Sequence, residues 1–167
     1  MSGGTDQDSQ SYLLGFEFTA NSPIEITELG QYDAAEAIAG ENEFQATSVA
    51  LYDITTNTPL GSVPGQGCTT DGLFCYGTLS SPVTLNTHDD YAVVWAPLSN
   101  VELGFVTLTT SDVNPAIRYV AAVGYGAGGQ TAVEGVVEPN FFYTVAQNGA
   151  GALNYEGVGP NFMFTTP

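Results

Sequence analysis

Leu14-Gly15-Phe16-Glu17-Phe18-Thr19-Ala20, then Asn21-Ser22-Pro23, then Ile24-Glu25-Ile26-Thr27-Glu28-Leu29 is the stretch whose reading decides the fold. In both arms apolar residues alternate with polar or small ones. That is the period of a strand with one buried face, not the 3.6-residue period of a helix. The aromatic and β-branched side chains on the apolar phase suit a pleated surface. Asn-Ser-Pro is turn chemistry, because Asn and Ser bond their own backbone and Pro cannot donate to a ladder. The two arms read as a β-hairpin with one wet face.

The same alternation recurs outward along the chain, predicting strands over 48–55, 74–78, 83–85, 91–96, 104–109, 118–123, 131–137, 140–145 and 161–165. Gly, Pro and Asn punctuate nearly every gap. Only 33–39 reads as helical, with Ala34, Ala35, Ala37 and Ala39 closed by Gly40. Many short strands with turn signals at this spacing predict an all-β, antiparallel β-sandwich or jelly roll. With 167 residues, 43% of them hydrophobic, the chain can bury one good core, so a single domain is expected over 12–167. Residues 1–11 form a polar segment, suited to serve as an intersubunit strand on a neighbour's sheet edge.

Charge excludes much. Arg118 is the only basic residue besides His88, against 18 carboxylates, and the formal charge is 1 − 18 = −17. Phosphate neutralisation needs clustered Lys and Arg, so nucleic acid and anionic membrane surfaces are poor partners. Charged residues are only 11% of the chain, so the acidity reflects missing bases more than the dense Asp and Glu of a salt-adapted surface. No apolar run approaches the ~20 residues of a spanning helix, so no membrane insertion is expected. The opening 1–6 is polar and lacks the basic and apolar regions of a signal peptide. The chain thus reads either as cytoplasmic or as a mature form freed of its targeting segments.

Cys68 and Cys75 lie seven apart around Asp71-Gly72. The spacing suits a disulfide-closed loop in an oxidising compartment, which favours the mature exported form. A zinc site would have only His88 to join them.

Several blocks then combine. Phe16-Glu17-Phe18-Thr19-Ala20-Asn21-Ser22-Pro23-Ile24, Leu29-Gly30-Gln31-Tyr32-Asp33 and Val49-Ala50-Leu51-Tyr52-Asp53 are followed by Ser81-Pro82-Val83-Thr84-Leu85, Tyr91-Ala92-Val93 and Gly159-Pro160-Asn161-Phe162-Met163-Phe164. In this order they resemble an exported bacterial β-sandwich family of unknown function, often found in proteins with a C-terminal PEP-CTERM exosortase sorting signal. The resemblance implies export, a sandwich fold and a surface or extracellular-matrix role. It implies no catalytic residues. A sorting tail would begin just past Pro167, consistent with a form trimmed at both ends, from which Met1 is the one departure.

No catalytic set is evident, and a non-enzyme is expected. His88, in Thr87-His88-Asp89-Asp90, reads as part of a turn before Tyr91. The glycine-rich stretch 123–130 lacks the Lys-Ser/Thr of a phosphate loop and reads as a surface loop. Calcium is the one cofactor the composition suggests, with Asp33, Glu41 and Glu43 flanking the longest inter-strand loop as candidate ligands. Trp95 shares the phase of Tyr91 and Val93 and belongs in the core, whereas Tyr125, Tyr143 and Tyr155 beside glycines are candidates for glycan stacking. Two functions follow. The first is an extracellular structural protein that self-associates into a filament or matrix through β-strand and apolar contacts. The alternative is a carbohydrate-binding module that attaches cell or matrix to polysaccharide.

Overall fold

The computed structural model describes residues 2–6, 13–33, 46–56, 58–72, 74–97, 103–108, 114–125, 143–144, 155–158 and 160–167. They are all-β, with no helix among them. The strands are β1 (Ser2–Asp6), β2 (Leu13–Ala20), β3 (Ile24–Tyr32), β4 (Ala46–Asp53), β5 (Thr58–Pro64), β6 (Thr69–Asp71), β7 (Phe74–Leu85), β8 (Asp90–Pro97), β9 (Leu103–Leu108), β10 (Ile117–Tyr125), β11 (Tyr143–Thr144), β12 (Tyr155–Val158) and β13 (Pro160–Thr165).

Two antiparallel sheets pack face to face: a six-stranded one in the order β11-β10-β2-β8-β4-β5 and a four-stranded one in the order β13-β3-β7-β6. A third sheet, β1-β9-β12, stands beside them. The long strands pair in nested fashion: β2 with β8, β3 with β7, and β4 with β5. Such nesting is a single antiparallel ribbon folded across two layers, the topology of a jelly roll. The expected sandwich is therefore present.

The hairpin expected from the opening stretch is not. β2 pairs with β8 and β10, and β3 with β7 and β13, so the two arms lie in different sheets. Asn21-Ser22-Pro23 is the corner where the ribbon crosses between layers. Residues 86–89 make the second crossing beside it, with Ala20 bridging Thr87 and the His88 N–H donating to the Ala20 carbonyl at 3.0 Å. Both arms keep their apolar phase toward one core in either arrangement, so alternation alone does not separate a hairpin from a corner.

Phe16, Phe18 and Ala20 meet Ile24, Ile26 and Leu29 from the opposite layer, with Val49, Leu51, Val93, Trp95 and Phe162 completing the interior. Phe18 and Phe162 join the layers at a ring separation of 4.7 Å. Trp95 is core, 1% exposed, and its Nε1 has no acceptor among the described residues. Gly15 lies where β2 and β8 approach closely, since a Cβ there would strike the Val93 carbonyl. The expected strands 74–78 and 83–85 are one strand, β7, whose residues 79–82 bulge opposite Thr27. Pro82 is tolerated there because the ladder is already interrupted. Of the expected helix at 33–39, Asp33 is non-helical and the rest lies outside the described residues, as does the expected strand at 131–137.

Candidate functional site

The sheet edges are where this molecule offers chemistry, and they are not alike. β5 carries Pro59, Gly61 and Pro64, and its Val63 packs over Gly77 of β7, closing that side of the sandwich. β6 has three residues and is tied down by the Cys68–Cys75 disulfide (Cα–Cα 5.3 Å). Its hairpin closes in two residues because Asp71 pairs with Phe74, and Gly72 supplies the left-handed φ of 65° that the turn needs. β11 has two residues. β13 differs: Pro160-Asn161-Phe162-Met163-Phe164-Thr165 carries no charge, runs six residues, and among the described residues pairs only with β3.

On β13, Phe162 enters the core and Phe164 packs against it, whereas Asn161 joins a second aromatic cluster on the outer face of the sheet. There Tyr32, Phe74 and Tyr76 form a chain of rings at 5.9 and 6.1 Å, each buried although none belongs to the main core. The Tyr76 ring lies over Gly30, where a Cβ would come within 2.5 Å of it, so the glycine makes room for the ring. Asn161 Nδ2 donates to the Tyr76 hydroxyl at 2.9 Å. Burial, with Asp71 and Glu28 nearby, pushes the Tyr76 phenol up to about 12 against the smaller opposing effect of Asn161. The Asn161 Oδ1 accepts the Phe162 N–H at 2.8 Å, occupying a donor that a ladder bond would otherwise take.

The outer face of the six-stranded sheet holds the one arginine. Arg118 Nε donates to Thr19 Oγ1 at 3.1 Å, and Thr19 pairs with Asp90 across the ladder. Glu17 shares this face, and burial, then Asp90, raises its carboxyl above the usual range while Arg118 partly opposes them. His88 is exposed, in the left-handed region at φ 71°, and serves the corner turn in which Asn86 Nδ2 donates to Asp89 Oδ2 at 3.1 Å.

Of the expected metal ligands, Asp33 accepts from Thr70 Oγ1 at 3.2 Å, linking β3 to the disulfide hairpin, whereas Glu41 and Glu43 lie outside the described residues. No group of three or more His, Cys, Asp or Glu that could hold a metal occurs among the described residues. Tyr125 and Tyr143 fall on adjacent strands, but the direct partner of Tyr143 is Gly124, and Tyr155 pairs with Leu108 in the third sheet. The structure thus does not bring the three tyrosines together as one cross-strand row. Of the polar segment 1–11, Ser2–Asp6 pairs with β9 of its own chain. Sequence reasoning missed Asn161 as a site residue. No local signal marks it, because its partner Tyr76 lies 85 residues away in sequence. No helix among the described residues is long and apolar enough to cross a membrane. The chain matches no family model, and no curated protein matches its sequence.

Proposed function

We propose that this chain is a non-catalytic structural protein of the cell surface or extracellular matrix that self-associates through sheet-edge and apolar contacts. The observation that carries the reading is the contrast among the edges of the two packed sheets: β6 and β11 are short, β6 is stapled by the disulfide and β5 carries prolines within its run, whereas β13 offers six uncharged residues with its proline confined to the first position and the extra residue of its register shift, Thr27, on β3. Proteins that stay monomeric protect such edges with lysine, proline or bulges. The Cys68–Cys75 disulfide supports export, and the resemblance to PEP-CTERM-associated sandwich proteins points the same way. With a net charge of −17, copies repel, so association is expected to strengthen with salt, the reverse of an interface built on ion pairs. Sedimentation velocity over a wide concentration range at low and high salt, with electron microscopy of the same samples, tests this. A monomer under every condition overturns the reading. Carbohydrate binding is the competing function, and Tyr125 and Tyr143 on neighbouring strands favour it. A glycan array on which wild type binds and Tyr143→Ala does not would establish it.

A further inference from the structure

We infer that the occupant of the β13 edge is β13 of a second copy, paired antiparallel about a two-fold axis through Met163. This rests on the self-association proposed above and names its contact. Three observations converge on it.

The first is the sequence of the edge. Phe162-Met163-Phe164 reads the same in both directions. Antiparallel pairing centred on Met163 therefore sets Phe162 against Phe164 of the second copy at both ends, and Met163 against its own equivalent. A two-fold interface demands such self-complementarity. The second is the direction of the backbone groups. The Met163 carbonyl accepts from Thr27 Oγ1 of β3 at 3.4 Å, whereas the Phe162 N–H donates to Oδ1 of its neighbour Asn161, so Met163 addresses β3 and Phe162 the side that is open among the described residues. The register shift between Met163 and Phe164 puts its extra residue, Thr27, on β3, so β13 keeps its alternation and Phe164 also addresses that side. Phe162 and Phe164 of opposite copies then form the hydrogen-bonded pairs, and the two Met163 residues form the closer, non-hydrogen-bonded pair, about 4.5 Å between Cα atoms. In the free protein Asn161 occupies the Phe162 donor, which a second copy takes over on pairing. The third is charge. Each copy carries −17, but β13 itself has no charged residue, so the nearest charges on this sheet, Glu28 and Glu25 opposite Met163 and Thr165, stand one strand back from the contact. Pairing joins two four-stranded sheets into one continuous sheet and lets Phe164, which packs at the margin of the core, bury its remaining surface. A two-fold contact closes on itself, so this interface yields a dimer, and a filament would use a second surface.

Cysteine cross-linking tests the register. Both native cysteines are in the disulfide, so an introduced thiol is the only free one. Met163→Cys is expected to form a covalent dimer under mild oxidation, because about 4.5 Å falls within the roughly 4.4–6.8 Å that disulfides span. Thr165→Cys is expected not to, since the two Thr165 residues would lie four residues apart along the strands, about 13 Å. Met163→Glu sets like charges opposite each other and beside Glu28 of β3, and is expected to weaken the dimer about fivefold or more. Equal cross-linking at both positions, or a dimer indifferent to Met163→Glu, overturns this interface while self-association by wild type stands. A wild type that stays monomeric overturns both.

Discussion

Phe18→Ala is the sharpest test of how the two sheets are held together. Phe18 is fully buried, and its ring lies 4.7 Å from Phe162 of the opposite sheet, 5.8 Å from Phe16 and 5.9 Å from Tyr91. Truncation removes about 100 Å³ from a site whose neighbours are strand-bound rings with little freedom to collapse, so at about 24 cal/mol per Å³ the cavity costs about 2.4 kcal/mol. Loss of the transfer free energy of the ring adds about 2 kcal/mol. The sum, about 4 kcal/mol, lies within the usual range of about 3–5 kcal/mol for a buried Phe→Ala and is a large part of the stability of an ordinary domain. Urea unfolding with the disulfide intact measures it, and a fall in melting temperature of about 8–16 °C should accompany it. Val120→Ala is the control. Val120 is 37% exposed at a bulge in β10, so its truncation should change stability by less than about 0.5 kcal/mol. A Phe18→Ala loss below about 1.5 kcal/mol would refute the claim that the sheets are joined through this ring.

Replacing Cys68 and Cys75 by Ser should cost about 2.5 kcal/mol by release of the short loop, read as a lower urea midpoint than wild type. The raised phenol of Tyr76 favours the folded state below pH ~10, and that contribution is lost as pH rises toward its folded value of about 12, so Tyr76→Phe should flatten the alkaline loss of stability. Glu17 has a raised carboxyl, so its charged form is disfavoured in the folded protein. Glu17→Gln should stabilise at neutral pH, with the gain vanishing as pH falls below about 4 in parallel denaturation curves. Arg118 lies within β10, paired to β2, and should resist trypsin until the protein unfolds, when a single cut leaves two pieces by mass spectrometry under non-reducing conditions.

Alternation made the strands legible, and turn residues made most gaps legible. Layer assignment was not, because a corner and a hairpin place Phe16, Phe18, Ile24 and Ile26 in the same phase. β5 escaped notice because Pro59, Gly61 and Pro64 break its pattern, the features that suit it to an edge. Ser2–Asp6 lacks apolar residues altogether, and its pairing with β9 depends on a partner about a hundred residues away, which no local signal encodes. The disulfide was readable from spacing and the Asp-Gly turn together. Asn161 was not, because its role arises only when β13 meets Tyr76 across β3, a contact between residues 85 apart in sequence.

The shortage of bases and the character of β13 bear on each other. Lysine on an edge strand is the common protection against unwanted pairing, and this chain contains none. Protection must come instead from prolines, short strands, the disulfide and a side-chain amide, and those devices guard β5, β6 and the Phe162 N–H. An amide cap differs in kind from a lysine. Lysine imposes a repulsion that persists in any paired state, whereas the Asn161 bond is exchanged for a backbone bond of similar strength when a strand arrives. The barrier to association then rests on the overall charge of −17, which is screened over about 8 Å at physiological ionic strength. On the proposed pairing, an edge guarded in this way would be closed when copies are dilute and salt is low, and would open when either rises.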